Sequence, residues 1–191
     1  MGTGAVAVYS RPGDRITFYE LNPAVPPIAR RYFTYLADSK AAIKVVSGDG
    51  RMSLESEPPQ HFDVIVIDAF LGEAIPVHLL TTQAMQIYLR QLAPDGVIAF
   101  NLSNPYVNLP REVAALAQAS GLESRAIVTG NDLKNQRYGL IWVLVSANRA
   151  FMNLPEVAAL ADHSPVLPMA PWTDQRSSLL PVLNWRSISP W

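Results

Sequence analysis

The sequence contains no cysteine and only three histidines among its 191 residues. Without thiol groups the chain can form neither a disulfide framework nor a thiolate metal site. His61, His78 and His163 are scattered along the chain and lack the spacing of metal ligands. We therefore expect a protein without a metal cofactor.

Charge of either sign is also scarce. Charged residues make up 16% of the chain and the formal net charge is −1, so no basic surface for nucleic acid or for an anionic membrane is indicated. No apolar run approaches the roughly 18 residues that a membrane span needs. Hydrophobic residues, at 49%, are sufficient for the core of a globular domain. We expect a soluble, cytoplasmic chain that binds no nucleic acid and does not insert into a membrane.

The most informative stretch is residues 62–70, whose centre at 64–67 is a continuous β-branched apolar run. A short apolar run without alternation is typical of a strand that is buried on both faces, as in a parallel sheet covered by helices. The run ends at Asp68. Ligands of open α/β sheets bind outside the carboxyl ends of the strands, so Asp68 is the candidate catalytic residue.

Strand and helix patterns alternate along the rest of the chain, with Pro94-Asp95-Gly96 as a turn. Strands are predicted at 15–21, 43–47, 62–68, 97–102, 124–129 and 140–146, and helices at 23–35, 81–92, 110–120 and 154–162. The last two strands can pair antiparallel. This order predicts an α/β fold, a doubly wound and mostly parallel sheet with helices on both faces. We expect residues 1–163 to form one nucleoside-binding domain, with the Pro- and Trp-rich tail 164–191 packed on it.

Three further sites carry residues suited to a nucleoside ligand. Residues 2–7 fit the pattern G-x-G-x-x-A through Gly2 and Gly4, the Gly-rich turn that opens the first helix of dinucleotide-binding folds. Glu20 lies at the end of the predicted strand 15–21, where an acid can hold ribose hydroxyls. Asp49 lies before Gly50 and can accept a hydrogen bond from an adenine amino group. A flexible N-terminus, a solvated Glu and a plain Asp-Gly turn are the structural alternatives.

These segments, together with Phe-Tyr-Glu at 18–20 and Gly-Asp-Gly-Arg at 48–51, occur in the order and spacing of spermidine synthase-like proteins. The chain therefore resembles the aminopropyltransferase branch of the class I S-adenosylmethionine-dependent methyltransferase fold. The resemblance implies that Gly2 and Gly4 line the methionine part of decarboxylated S-adenosylmethionine or S-adenosylmethionine. It also implies that Glu20 holds the ribose, that Asp49 and Gly50 meet the adenine, and that Asp68 orients an amine and takes its proton.

The sequence departs from that family in two places. Family members carry a second Asp three positions after the catalytic Asp, where this chain has Leu71, and the nearest acid is Glu73. They also begin with a β-rich segment and a first strand ahead of the Gly-rich turn, so we expect an N-terminally truncated chain. Glu73 and Tyr106 are the candidate substrate-binding residues, and a homodimer is a further expectation.

Four functions fit these patterns. The leading interpretation is aminopropyl transfer from decarboxylated S-adenosylmethionine to an amine, a reaction of polyamine biosynthesis. The others are methyl transfer to a small molecule on the same scaffold, a non-catalytic nucleoside-binding or interaction domain, and an NAD-dependent oxidoreductase. The oxidoreductase leaves Asp49 and Asp68 without an assigned role.

Overall fold

Strands and helices alternate in the computed structural model, which describes residues 2–69, 76–104, 106–131, 134 and 139–184. The described residues form the strands β1 (Arg15–Glu20), β2 (Ala42–Ser47), β3 (Phe62–Ile67), β4 (Leu92–Asn101), β5 (Glu123–Val128) and β6 (Ile141–Ser146). The α-helices are α1 (Val25–Tyr32), α2 (Gly50–Ser56), α3 (Thr82–Gln91), α4 (Leu109–Ala119), α5 (Arg149–Met152) and α6 (Pro155–Leu160). The chain divides into two compact units, Met1–Pro58 and Pro59–Trp191. The predicted boundary after residue 163 stays a prediction.

The first unit contains a parallel pair of strands joined by a helix. β1 and β2 pair from Arg15 opposite Ala42 to Glu20 opposite Ser47. Helix α1 connects them and carries Pro26 and Pro27 in its first turn, where proline removes no helical hydrogen bond. The buried apolar residues of the first unit include Ala7, Phe18, Ala29 and Leu54.

The second unit contains a four-stranded sheet with the order β3-β4-β6-β5. β3 and β4 are parallel and are joined through α3, while β6 pairs antiparallel with both β4 and β5. The predicted α/β class and the antiparallel terminal strands are therefore confirmed. The core contains Ile98 and Phe100 of β4, with Phe100 meeting the ring of Tyr88 edge-on at 6.3 Å between centroids.

Three local predictions differ from the structure. The expected turn near the N-terminus is a 3-10 helix, Gly2–Tyr9. β3 is not buried evenly on both faces, because Ile65 and Ile67 are buried whereas Val64 is 56% exposed, the alternation of a strand with one covered face. Helix α2 was not predicted.

The start of β4 also differs from the prediction. The strand begins at Leu92 rather than Val97, because Leu92 pairs with Phe62 before the register shifts across the expected Pro94-Asp95-Gly96 turn. The shift accommodates the turn within the strand as an irregularity, so both features are present. No helix in the described part of the chain is long and apolar enough to cross a membrane.

The segment after α6 contacts helices α3 and α4 within the second unit. Trp172 is 3% exposed, and its backbone N–H donates to Oε1 of the buried Glu112 at 2.8 Å. The carbonyl of Trp172 accepts from the backbone N–H of Thr82 at 2.9 Å. Arg111 donates through its guanidinium to the carbonyls of Leu167 and Pro168. These contacts fix this otherwise irregular segment to the two helices.

Candidate functional site

In the first unit, the residues predicted to bind a nucleoside follow the carboxyl ends of β1 and β2. Because the two strands are parallel and in register, Glu20 lies opposite Ser47, and the backbone N–H of Gly48 donates to the carbonyl of Glu20 at 3.0 Å. Gly48 has φ of +136°, which favours glycine and lets the chain turn into α2. We call Glu20, Gly48, Asp49 and Gly50 the nucleoside edge.

Both acids of the nucleoside edge also hold the local backbone. Oε1 of Glu20 accepts from the backbone N–H of Asn22 at 3.0 Å. Oδ1 of Asp49 accepts from the N–H of Met52 at 2.9 Å, which makes Asp49 the N-cap of α2. Asp49 therefore begins a helix, and its contact with adenine stays a prediction.

Gly4 lies against the ring of Tyr35, a residue that sequence reasoning missed. A Cβ atom at Gly4 would collide with the Tyr35 ring, so the room that glycine leaves is filled by this side chain. Burial and the negative charge of Glu20 raise the pKa of Tyr35. The structure thus gives Gly4 a packing role. The binding roles of Gly2 and Gly4 stay predictions.

In the second unit, Asp68 follows the carboxyl end of β3 beside the end of β4, as the parallel sheet requires. Nδ2 of Asn101, the last residue of β4, donates to Oδ1 of Asp68 at 3.0 Å. Oδ1 of Asn101 accepts from the hydroxyl of Ser103 at 2.7 Å. Because Asp68 is the predicted catalytic residue, we call Asp68, Asn101 and Ser103 the catalytic edge, in which Asp68 is half-buried.

Of the two candidate substrate-binding residues, Tyr106 lies among the described residues and Glu73 does not. Tyr106 is 42% exposed on the loop after β4, where its backbone N–H donates to Oδ1 of the buried Asn104 at 2.9 Å. Leu71 and Glu73 lie outside the described residues. Asn101 was missed as a site residue, and its position at the end of a strand adjacent to β3 is the signal that could have found it.

A cavity of about 330 Å³ lies at the amino ends of β3 and β4, the opposite end of the sheet from Asp68. Its lining is mostly apolar and includes His61, Leu92 and Leu122. Among the described residues, no cluster of three or more His, Cys, Asp or Glu side chains could hold a metal ion.

Comparison with curated proteins finds two kinds of transferase. The chain is 33% identical over 92 residues to a polyamine aminopropyltransferase of Vibrio vulnificus, covering 47% of this chain and 30% of that protein. It is 33% identical over 101 residues to an N-terminal histidine N-methyltransferase of Emericella nidulans, covering 53% of this chain and 18% of that protein. The chain thus spans less than a third of these curated relatives. No family model matches it.

Solved structures show the same relationship at the level of the fold. A probable spermidine synthase from Corynebacterium glutamicum matches with a TM-score of 0.57 and 25% identity, covering 75% of this chain and 52% of that chain. A putative O-methyltransferase from Klebsiella pneumoniae matches with a TM-score of 0.50 and 20% identity, covering 74% and 66% respectively. Together with the curated relatives, the match to the probable spermidine synthase confirms the predicted resemblance, and the curated relatives named above are transferases, the enzyme class predicted from the sequence. The chain has a spermidine synthase-like form of the class I S-adenosylmethionine-dependent methyltransferase fold.

Proposed function

We propose that this chain carries out aminopropyl transfer from decarboxylated S-adenosylmethionine to an amine acceptor, as in polyamine biosynthesis. The observation that carries the proposal is the carboxylate of Asp68 at the carboxyl end of β3, held by Asn101 from the next strand. The similarity to a polyamine aminopropyltransferase and to a probable spermidine synthase supports the choice of reaction.

The chemistry requires alignment and a base rather than a metal. The acceptor nitrogen attacks the carbon of the aminopropyl group that is bonded to the sulfonium, and a C–N bond forms as the C–S bond breaks. The electron pair of the C–S bond goes to sulfur, which leaves as a neutral thioether. The nitrogen must lose a proton, and Asp68 attracts the ammonium form of the amine and accepts that proton.

The nucleoside edge supplies the binding half of the proposal. Glu20 would accept hydrogen bonds from the ribose hydroxyls, and Asp49 would accept one from the adenine amino group beside Gly50. The bound donor supplies the electrophilic carbon. Glu20, as a carboxylate at a strand end, has the chemistry that ribose recognition requires.

Methyl transfer is the second candidate, because two curated relatives are methyltransferases. Besides the histidine N-methyltransferase, an eEF1A lysine and N-terminal methyltransferase of Danio rerio is 31% identical over 114 residues, covering 53% of this chain and 16% of that protein. Both reactions attack a carbon bonded to a sulfonium, and the names of both methyltransferases point to nitrogen acceptors. The candidates therefore share a nitrogen nucleophile and differ in the donor.

Product analysis separates the two candidates. The purified chain would be incubated with a panel of aliphatic diamines and a lysine-containing peptide, with each donor in turn, and the nucleoside products identified by mass. We expect methylthioadenosine from decarboxylated S-adenosylmethionine. S-adenosylhomocysteine from S-adenosylmethionine would establish methyl transfer instead, and the absence of both products from a folded chain would contradict a transferase function.

A further inference from the structure

We propose that Asn101 is a positioning residue for Asp68 and that Ser103 fixes the orientation of Asn101. This inference rests on the proposed function, because it names the residues that hold the carboxylate proposed to accept the proton. It adds to the site Asn101, the last residue of β4, and Ser103 of the loop that follows.

The hydrogen bonds around Asn101 allow one orientation of its amide. Oδ1 accepts from the hydroxyl of Ser103 at 2.7 Å and from the backbone N–H of Ser103 at 3.3 Å. Because an amide NH₂ group cannot accept these bonds, the oxygen of Asn101 must face Ser103 and the NH₂ group must face Asp68. The donor at 3.0 Å from Oδ1 of Asp68 is therefore specified by its neighbours.

Ser103 is specified in the same way by β6. The backbone N–H of Ile141 donates to the hydroxyl oxygen of Ser103 at 2.9 Å, so the single hydroxyl hydrogen is directed to Asn101. The buried Leu102 anchors the same turn, since its N–H donates to the carbonyl of Ile141 at 2.8 Å. Donors thus run in one direction, from Ile141 through Ser103 and Asn101 to Asp68.

This chain of donors restrains one oxygen of Asp68 while leaving the carboxylate its charge. A carboxylate that rotates freely would spend little time in line with an attacking nitrogen, and small displacements of reacting groups are costly in rate. An amide at position 101 suits this task because a carboxylate there would place a second negative charge against Asp68.

Substitutions at 101 and 103 test the assignment, with matched controls elsewhere. In Asn101→Ala we expect kcat for transfer to fall by about tenfold, and in Asn101→Asp by about a hundredfold, from lost alignment and like-charge repulsion. Ser103→Ala should lower kcat by roughly three- to tenfold, while Ser103→Thr should restore it because the hydroxyl is retained. Asn153→Asp, which keeps the oxygen that accepts from Arg125, and Ser164→Ala are the controls.

Two readouts distinguish positioning from a structural role. The dissociation constant of the nucleoside donor, measured by calorimetry, should stay unchanged in Ser103→Ala and Asn101→Ala while kcat falls, and thermal unfolding should show that both variants are folded at the assay temperature. The side-chain NH₂ signals of Asn101 in ¹⁵N-resolved NMR spectra, identified by their loss in Asn101→Ala, should move in Asp68→Asn and in Ser103→Ala. Signals that do not move in either variant would contradict the inferred chain of donors.

Failure of this inference differs from failure of the proposed function. If the wild-type chain transfers the aminopropyl group and Asn101→Asp is within twofold of it, the proposed function stands and the role of Asn101 is wrong. If the wild-type chain is folded but transfers no group from either donor, the proposed function is wrong, and the role of Asn101 as a positioning residue is withdrawn with it.

Discussion

Glu20 and Asp49 in the first unit each accept a hydrogen bond from a backbone amide two or three residues further along the chain. Asp68 in the second unit instead accepts from the side chain of Asn101, 33 positions away. Both edges depend on strand pairing, but the carboxylates of the nucleoside edge accept from their own turns, whereas the carboxylate of Asp68 accepts across the pairing of β3 with β4. An acid whose carboxylate accepts from its own turn can be recognised from local sequence. When the partner of an acid lies on a neighbouring strand, that partner can be identified only once the fold is known.

The two units also differ in the number of apolar side chains that they bury. The described residues of the first unit bury few, among them Ala7, Phe18 and Leu54, whereas the second unit buries many, including Tyr88, Phe100 and much of α4. Glu112 of α4 differs from these apolar residues, because it is a carboxyl group without exposed surface in the core of the second unit. It offers a test of the second unit that leaves the nucleoside edge unchanged.

The largest effect is expected on the pH dependence of stability, which Glu112→Gln should remove. Burial raises the pKa of Glu112 from 4.5 to about 7, although the hydrogen bond from the backbone N–H of Trp172 lowers it. The neutral carboxyl of Glu112 contributes stability that is fully present below pH 4.5 and is lost as the pH rises through about 7. The free energy of unfolding should therefore fall by about 3 kcal/mol over this pH range. In Glu112→Gln this loss should disappear.

Urea unfolding at pH 5 and pH 8 measures that difference. Glu156→Gln, on the exposed face of α6, is the control and should keep the pH dependence of the wild type. An unchanged pH dependence in Glu112→Gln would show that Glu112 has an ordinary pKa in the folded chain.

A smaller effect is expected at the nucleoside edge from Glu20→Gln. Loss of the charged acceptor should raise the dissociation constant of the donor by about ten- to a hundredfold, the range for a hydrogen bond to a charged group. Calorimetric titration with decarboxylated S-adenosylmethionine and with S-adenosylmethionine checks this. Asp14→Asn, at an exposed turn of the same unit, is the control, and equal affinities in the wild type and Glu20→Gln would exclude the ribose contact.

The smallest effect is expected at Asp49, where two roles can be separated. Asp49→Ala should lower stability by about 1 kcal/mol, because the N-cap of α2 is lost, and should also weaken nucleoside binding. Asp49→Ser should keep the cap but should bind the nucleoside as weakly as Asp49→Ala, since serine is too short to reach the adenine. Thermal unfolding and calorimetry measure the two effects, and full affinity in Asp49→Ser would limit Asp49 to capping.

The strands were predictable because their apolar runs are bounded by turn residues, and β1, β2, β5 and β6 begin and end within a residue of the predicted positions. Helix α2 was not, because it buries only Leu54 and has too weak an apolar period, and because the Gly-Asp-Gly before it also fits a turn. Asp68 could be identified from its place after an apolar run. The support that Asn101 and Ser103 give to Asp68 could not be predicted, because it depends on which strands become neighbours.

The most direct test of the catalytic edge is single-turnover transfer from decarboxylated S-adenosylmethionine by the wild type, Asp68→Asn and Asp63→Asn. Asp63 is an exposed acid on β3 itself, so its substitution controls for charge and for the strand. We expect Asp68→Asn to be slower by about 10²- to 10⁴-fold, the contribution of a general base, with Asp63→Asn unchanged. Equal rates in all three proteins would contradict the catalytic role of Asp68.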